Sequence, residues 1–377
     1  MLKLTLLLAA VCFLAYTTKY KSVPTGESGN VVVYHHPGRS FSIFLMILLL
    51  TLLIGLRTAY NDTGAYISGF INAPTFSEFI KEPKNLNLLQ NPLFYGYTAL
   101  FRQLTDNYHV YFMVSALFVT VPTIVSLRRL SDGNMFPLVI FTYFTLGTYV
   151  FALAAMKQTI AMAISCYAIV ALLEKKYPRF FVFVIIAGLV HAYAFSLLIL
   201  PLLVAKPWTT RTYIIVAITL FMMLTFEESL TRILEEADEL GKSIDSSSVF
   251  SGTGMNLFRV AVYSIVPVMS LLYKRRLESN MGRKEYLFLH MSIVSFMFML
   301  LASIDGANIF GRMARYFEIG LVYMYPWMLQ HLFSGKNRNV IKLAYIICFF
   351  AFFVYGYRDF SSNYHAITLA QFIKSLF

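Results

Sequence analysis

Long uncharged apolar runs dominate this sequence, and they constrain its fold more than any other feature. Charged residues make up only 13% of the 377 residues, whereas a soluble globular domain carries about 25%. A helix that crosses a membrane needs roughly 20 mostly apolar residues, because lipid offers its backbone no hydrogen-bonding partner. The sequence therefore predicts an all-α, polytopic integral membrane protein. The candidate spans are 4–18, 41–57, 109–127, 136–156, 158–173, 212–226, 258–273, 286–304, 315–333 and 341–357.

The basic residues between these runs fix the predicted topology, because cytoplasmic loops retain an excess of lysine and arginine. One further apolar stretch, 180–205, is interrupted by His191 and Pro201. If this stretch crossed the membrane once, the later basic clusters would lie outside and the acidic 227–245 loop inside. We therefore predict about 11 transmembrane segments, with a broken or re-entrant helix that turns at His191. Non-helical backbone lies within a membrane only where protein or a wet cavity surrounds it, which makes His191 a site candidate.

The whole chain, 1–377, is then a single transmembrane domain with two long external loops. The first loop, 58–108, is rich in polar and aromatic residues and is far longer than an ordinary connection, as functional loops often are. The second loop, 227–257, contains at 230–240 the apolar spacing of an amphipathic surface helix. A Ser/Gly-rich linker follows at 246–254. This second loop fits either a mobile lid or a plain surface loop.

Several cations lie at the ends of apolar runs on the predicted non-cytoplasmic side, where cations are normally scarce. Their retention on that side indicates a bound anion. Arg312 and Arg315 share one helix face with Glu318, and two guanidinium forks on one face match the oxygens of a diphosphate. Alternatively, Arg315 pairs with Glu318 while Arg312 extends to the lipid headgroups. We predict that the diphosphate contacts are Arg57, Lys157, Arg259, Arg312 and Arg315.

Asp62 and His191 are the acid–base candidates. Transfer of a sugar needs a base that takes the proton of the acceptor hydroxyl, whereas cations alone stabilise a departing diphosphate. Plainer roles also fit: Asp62 as a loop cap or as the partner of Arg57, and His191 as a satisfied polar group in a helix break. A third acid, Asp305, fits turn chemistry better. No DxD, HExxH or paired-histidine spacing occurs, so we predict no metal and no cofactor.

The distribution of basic residues indicates which classes of partner the protein binds. The net charge of +12 comes from short basic clusters between apolar runs, as the topology requires, and not from a basic domain. We therefore expect lipid as a partner and no nucleic acid. The three cysteines all lie in apolar runs without CxxC spacing, so the sequence predicts neither a metal site nor a disulfide framework.

Short motifs follow one another along the chain in a distinctive order. Residues 54–57 read IGLR, 61–66 read NDTGAY, 156–163 read MKQTIAMA, 191–194 read HAYA and 312–316 read RMARY. The first two resemble the GLR…GTD…Y segment of the EpsG family of bacterial polysaccharide polymerases. The next two are similar to its RQxIAxAI and HKSA segments, and the last lies where the family has a late arginine–tyrosine patch. The ordered set resembles this family over most of the chain.

The chain departs from the family pattern in three places. Lys157 stands where arginine is usual, which keeps the charge but loses the bidentate fork. Asn61 replaces the glycine before Asp62, and Ala192-Tyr193 replaces Lys-Ser. These differences indicate a divergent member of the family with its own substrate.

What the resemblance implies is a GT-C-like, metal-independent glycosyltransferase in the bacterial cytoplasmic membrane. Such an enzyme joins oligosaccharide units carried on undecaprenyl diphosphate into capsule, exopolysaccharide or O-antigen at the outer leaflet. Its expected partners are that lipid-linked oligosaccharide, membrane lipid, a flippase and a chain-length regulator. Because Tyr66, Gln158 and Tyr316 lie in the matching motifs, we expect them to bind substrate.

Two other functions fit the same composition. A flippase or transporter of the lipid-linked oligosaccharide would show inverted repeats and paired broken helices, whereas this chain has one predicted break and no internal duplication. A lipid-linked glycan ligase makes nearly the same demands on the sequence as a polymerase.

Overall fold

Helices form most of the structure, as the apolar runs predict. The structure is a computed structural model, and it describes residues 1–25, 30–35, 38–82, 87–224, 254–304 and 307–377. The predicted amphipathic helix at 230–240, the linker at 246–253 and Asp305 lie outside the described residues. In chain order the helices are α1 (Leu2–Thr17), α2 (Arg39–Gly55), α3 (Thr63–Ile71), α4 (Phe76–Phe79), α5 (Pro92–Leu104), α6 (Tyr108–Leu130), α7 (Phe136–Thr145), α8 (Thr148–Ala154), α9 (Met156–Leu173), α10 (Tyr177–Val190), α11 (Leu200–Leu203), α12 (Thr210–Leu224), α13 (Leu257–Leu272), α14 (Lys274–Glu278), α15 (Arg283–Ile304), α16 (Ala307–Phe317), α17 (Ile319–His331), α18 (Gly335–Gly356), α19 (Phe360–Asn363) and α20 (Leu369–Lys374).

Short 3-10 helices and strands complete the described secondary structure. The 3-10 segments are Leu88–Gln90 and Ala192–Ile199. Strands β1 (Tyr20–Thr25) and β2 (Asn30–His35) form an antiparallel hairpin between α1 and α2. Strands β3 (Arg57–Ala59) and β4 (His365–Ala366) also pair antiparallel, although they lie near opposite ends of the chain.

The chain divides into two compact units. Unit 1 contains residues 1–86, 92–170 and 344–377, and unit 2 contains 87–91 and 171–343. Within the described residues, each predicted apolar span overlaps a helix or a helix pair. By length and composition, four helices in the described ranges are able to cross a membrane, or five if α7 and α8 form one bent span; the four are α6, α9, α15 and α18. The count of about 11 spans and the single domain over 1–377 therefore stay predictions.

In unit 1, the predicted span 136–156 is bent between α7 and α8, which meet at 44°. The bend lies at Gly147, which has a φ of +84°, a conformation that residues with a Cβ adopt only under strain. A Cβ at this position would also collide with the hydroxyl of Tyr357. Glycine is therefore required at the bend for two independent reasons.

In unit 2, the apolar stretch 180–205 forms a hairpin and not one straight helix. Helix α10 ends at Val190, and His191 is extended, with φ −152° and ψ 112°. The following 3-10 segment turns back along α10, so closely that a Cβ on Gly188 would collide with the ring of Phe195. In a continuous helix these two residues would be roughly 10 Å apart along the axis. The structure therefore has the break where the sequence predicts it.

The two ends of this hairpin contact the same charged segment. At its start, the Tyr177 hydroxyl lies 3.3 Å from Nη2 of Arg283. After its end, Nζ of Lys206 lies 3.1 Å from Oε2 of Glu278. Arg283 also donates to the carbonyl of Leu172, just before the hairpin, over 3.2 Å. The two ends of the stretch thus meet at one charged segment, and its return to the same side of the membrane stays a prediction.

Candidate functional site

Arg57 follows α2 in unit 1, and its side chain folds back over the end of that helix. Its Nη1 donates to the carbonyl of Ile54 over 2.6 Å, one of the last helix carbonyls that have no partner within the helix. The guanidinium carbon lies 4.6 Å from the ring centroid of Phe112. The side chain is fully buried, at 0% exposure. Within the described residues its Nε and Nη2 have no hydrogen-bond partner, so the guanidinium keeps two donor atoms for an anion.

Four tyrosines influence this guanidinium electrostatically. Tyr66, Tyr111, Tyr149 and Tyr364 all lie within electrostatic reach of it. The hydroxyl of Tyr149 donates to the carbonyl of Leu50 over 2.9 Å, and this bond fixes the position of the ring. None of the four is a carboxylate, so these tyrosines make the surroundings of Arg57 polar without adding a negative charge.

Lys157 and Tyr66 meet in the same unit. The backbone N–H of Lys157 donates to the Tyr66 hydroxyl over 3.3 Å, and the ring of Tyr66 packs edge-on against Phe94. Nζ of Lys157 lies 5.8 Å from the ring centroid of Phe94 and 5.2 Å from that of Tyr95, within the range of a cation–π contact. Unit 1 thus brings together three of the predicted site residues, Arg57, Tyr66 and Lys157.

Asp62 and Gln158, also in unit 1, occupy contrasting environments. Asp62 precedes α3 at its N-cap position, is exposed, and makes no capping bond with its side chain. It also forms no ion pair with Arg57 in the described structure. Within the described residues, Asp62 is therefore neither a side-chain cap nor the partner of Arg57. Gln158, beside Lys157 in the first turn of α9, is buried at 1% exposure.

His191 and Tyr316, predicted from separate motifs, contact one another in unit 2. The Tyr316 hydroxyl lies 2.9 Å from Nδ1 of His191, and both residues are buried. The ring of Tyr193 packs edge-on against His191. At the start of the 3-10 segment, the N–H of Ala192 donates to Oδ1 of Asn91 over 2.9 Å. These bonds hold the extended residue at the hairpin turn and orient its imidazole.

Arg312 and Arg315 lie on α16 but have different surroundings. Arg312 is half-buried and lies within electrostatic reach of the hydroxyls of Tyr193 and Tyr316. Arg315 is 5% exposed, and its Nη1 contacts both carboxylate oxygens of Glu318, at 2.9 and 2.7 Å. Glu318 is itself fully buried. The ion-pair interpretation of Arg315 is therefore the one that the structure shows.

Arg259 belongs to the surroundings of this ion pair. It is half-buried on α13, and the hydroxyl of Tyr263 lies within electrostatic reach of Arg259, Arg315 and Glu318. Unit 2 thus groups His191 with Arg312 and Tyr316, and separately Arg259 with the ion pair. Convergence of all five cations on one anion stays a prediction.

Tyr111, Tyr149 and Tyr364, the aromatic shell of Arg57, give no signal in the sequence. Tyr111 and Tyr149 lie within apolar runs, and Tyr364 lies in the C-terminal tail, so no local pattern connects them with Arg57. Tyr193 is part of the HAYA motif, but the motif alone does not indicate its contact with His191. Within the described ranges, no three His, Cys, Asp or Glu side chains gather where a metal ion would bind.

Comparison with known proteins gives one result. The model of the EpsG family matches residues 40–371, a range that includes every predicted site residue. Neither the curated proteins nor the solved structures contain a match.

Proposed function

Because the chain belongs to the EpsG family, we propose that it polymerises oligosaccharide repeat units carried on undecaprenyl diphosphate. The family indicates a Wzy-like polysaccharide polymerase, a membrane glycosyltransferase. In this proposal the chain is a GT-C-like, multi-pass protein of the bacterial cytoplasmic membrane with about 11 crossing segments. It acts at the outer face, needs no metal, and makes capsule, exopolysaccharide or O-antigen.

The observation that carries the proposal is the state of Arg57. A buried charge is normally paired with an opposite charge, because an isolated ion loses its hydration. Arg57 is fully buried and has no carboxylate partner within the described residues, and two of its donor atoms are unsatisfied. An anionic ligand would supply the missing charge and both acceptors. A diphosphate is such an anion, and guanidinium binds its oxygens bidentately.

Each residue of the set has one proposed role. Arg57 and Lys157 bind the diphosphate, and Tyr66 and Gln158 contact the substrate. His191 takes the proton of the acceptor hydroxyl, and Arg312 supplies further positive charge. The hydroxyl oxygen forms a bond to the anomeric carbon, and the bond from that carbon to the diphosphate oxygen breaks. The electron pair leaves with undecaprenyl diphosphate, whose charge the cations stabilise.

The Tyr316 contact defines how His191 acts as a base. A neutral imidazole has one protonated nitrogen and one acceptor nitrogen. In the base role, Nδ1–H donates to the Tyr316 hydroxyl oxygen, and Nε2 accepts the proton from the sugar. This arrangement parallels other histidines whose tautomer is fixed by the partner of the second nitrogen. Asp62 is the second candidate for the base, and Arg259 completes the proposed set of cations. Arg315 is left out of that set, because the carboxylate of Glu318 already neutralises it.

A test compares three arginine variants in a strain that lacks the chromosomal copy. Arg57→Gln and Arg312→Gln remove a proposed phosphate contact each, and we expect both to abolish long-chain polymer at normal protein levels. Arg102→Gln is the matched control, because Arg102 is also in the predicted external segment but pairs with Asp106 at the surface. It should leave the glycan ladder unchanged. Normal ladders from Arg57→Gln and Arg312→Gln would refute the assignment.

The deletion strain itself separates the proposal from its alternatives. Loss of a polymerase leaves single repeat units on the lipid at the outer leaflet. Loss of a flippase leaves the same units facing the cytoplasm, and loss of a ligase leaves long polymer on the lipid. Extraction of the lipid-linked glycans, with their size and sidedness determined, therefore identifies which of the three reactions has been lost.

A further inference from the structure

The end of α2, on which Arg57 depends, is held by side chains and backbone from more than one part of unit 1. The last carbonyls of a helix have no partner within it and need donors from elsewhere. The carbonyl of Ile54 accepts from Arg57 itself. The carbonyl of Leu53 accepts from the Tyr364 hydroxyl over 2.7 Å. The guanidinium of Arg57 and the phenol of Tyr364 therefore satisfy neighbouring carbonyls of the same helix end.

The C-terminal tail also pairs with the backbone of Arg57. In the antiparallel β3–β4 pair, Arg57 is opposite Ala366 and Ala59 is opposite His365. The N–H of Ile367 donates to the carbonyl of Leu56 over 3.0 Å. The tail thus holds the backbone on both sides of Arg57, at Leu56 and at Ala59.

Aromatic packing fixes the tail in this position. The rings of Phe360 and Tyr364 stack with centroids 4.8 Å apart. Tyr60, which follows β3, contacts both rings, with centroid distances of 5.4 and 6.5 Å. Phe360 and Tyr364 are only 2% and 5% exposed, so these two side chains are part of the packed interior of unit 1. Further along, Nδ2 of Asn107 donates to the carbonyl of Ser375 over 2.7 Å.

We propose that Tyr364 is a positioning residue for Arg57, and that the tail segment 360–367 holds the end of α2 so that the guanidinium can receive an anion. This inference rests on the proposed function, because it concerns the same phosphate-binding arginine. A binding group must be held to about half an ångström by the residues behind it. Tyr364 reaches the helix end from a distant part of the sequence and lies within electrostatic reach of Arg57. Its role is to hold Arg57, and the sugar chemistry does not use its hydroxyl.

The test combines loss of the hydroxyl with a covalent substitute for it. Tyr364→Phe removes only the hydroxyl and should lower the rate of polymer synthesis roughly 2- to 12-fold, the effect of one ordinary hydrogen bond. Ala59→Cys with His365→Cys then joins the facing residues of β3 and β4, whose Cα atoms in such pairs are about 4.5–5.5 Å apart, within disulfide range. All assays use a background in which Cys12, Cys166 and Cys348 are replaced by serine.

In that background, oxidation of the cysteine pair should restore the rate of the Tyr364→Phe protein, and reduction should abolish the rescue. A catalytic role for the hydroxyl would not be rescued by a tether, so persistent loss after complete cross-linking overturns the inference. An unchanged rate in Tyr364→Phe overturns it as well. Tyr355→Phe is the matched control, because this tyrosine is 56% exposed on α18, and its rate should equal that of the parent protein.

Hydrogen exchange separates this inference from the proposed function. If the parent protein makes no polymer from a purified lipid-linked repeat unit, the proposed function fails. Exchange of the amides of residues 56–59 then decides the structural part. Faster exchange in Tyr364→Phe than in Tyr355→Phe supports the tail as the restraint on Arg57, and equal exchange overturns it.

Discussion

Unit 1 and unit 2 each contain a buried arginine near the end of a helix, but the two are compensated differently. Arg315 in unit 2 contacts both oxygens of the buried carboxylate of Glu318. Arg57 in unit 1 donates to one backbone carbonyl and stacks on an aromatic ring, and two of its donor atoms have no partner among the residues that the structure describes. Burial of a cation therefore does not by itself mark a ligand site. The presence or absence of a counter-charge distinguishes a structural arginine from one suited to bind an anion.

This difference has an energetic consequence. Removing one member of a buried ion pair leaves the other charge without hydration and without a partner, which is strongly destabilising. Removing Arg57 leaves only the carbonyl of Ile54 unsatisfied and also removes an uncompensated buried charge. The two arginines should therefore respond in opposite ways when stability and activity are measured separately.

The largest effect is expected in unit 2. Glu318→Gln leaves Arg315 without its counter-charge and should lower the free energy of unfolding by about 3–5 kcal/mol, measured by denaturant titration in detergent micelles. The double variant Arg315→Met/Glu318→Leu removes both charges and should be about as stable as the parent. If the single and the double variant are equally destabilised, side-chain packing and not charge explains the loss of stability. The contrast between Arg315 and Arg57 as compensated and uncompensated charges would then be wrong.

An intermediate effect is expected in unit 1. Arg57→Met should change the free energy of unfolding by no more than about 2 kcal/mol, because the one orphaned carbonyl is offset by the loss of a buried charge. Long-chain polymer should nevertheless disappear, since the proposed diphosphate contact is lost. The same titration and a glycan ladder measure the two quantities. Destabilisation as large as that of Glu318→Gln would make Arg57 a structural residue like Arg315.

Elements determined by local sequence were predictable. Apolar runs predicted where the helices lie, because backbone in lipid must satisfy its own hydrogen bonds. Charge distribution predicted the hairpin at His191, because the basic clusters could be placed on one side only if the chain turned back. The Arg315–Glu318 pair was also visible as one of two interpretations, since residues three apart in a helix are neighbours. The sequence did not decide between them because burial of Glu318 depends on distant packing.

Contacts between distant segments were not predictable. Tyr364 and Leu53 are separated by 311 positions, and nothing in the tail indicates that it pairs with β3. The bend at Gly147 depends on its positive φ and on Tyr357, and neither is visible within the run 136–156. The shell of Arg57 thus follows from tertiary packing, whereas the motif residues themselves were found from the sequence.

The smallest effects concern the tyrosines that orient site residues in each unit. Tyr316→Phe removes a buried bond to His191, which has a length of 2.9 Å, and should lower the free energy of unfolding by about 1–2 kcal/mol. Tyr66→Phe removes a longer bond of 3.3 Å from the Lys157 N–H and should lower it by about 0.5 kcal/mol. A double-mutant cycle with Tyr316→Phe, His191→Gln and the double variant measures the interaction free energy between these two side chains, because contacting residues show non-additive effects. We expect an interaction free energy of about 1 kcal/mol. If the effects of the two single variants simply add, the Tyr316 hydroxyl does not orient the imidazole, and Asp62 becomes the stronger candidate for the base.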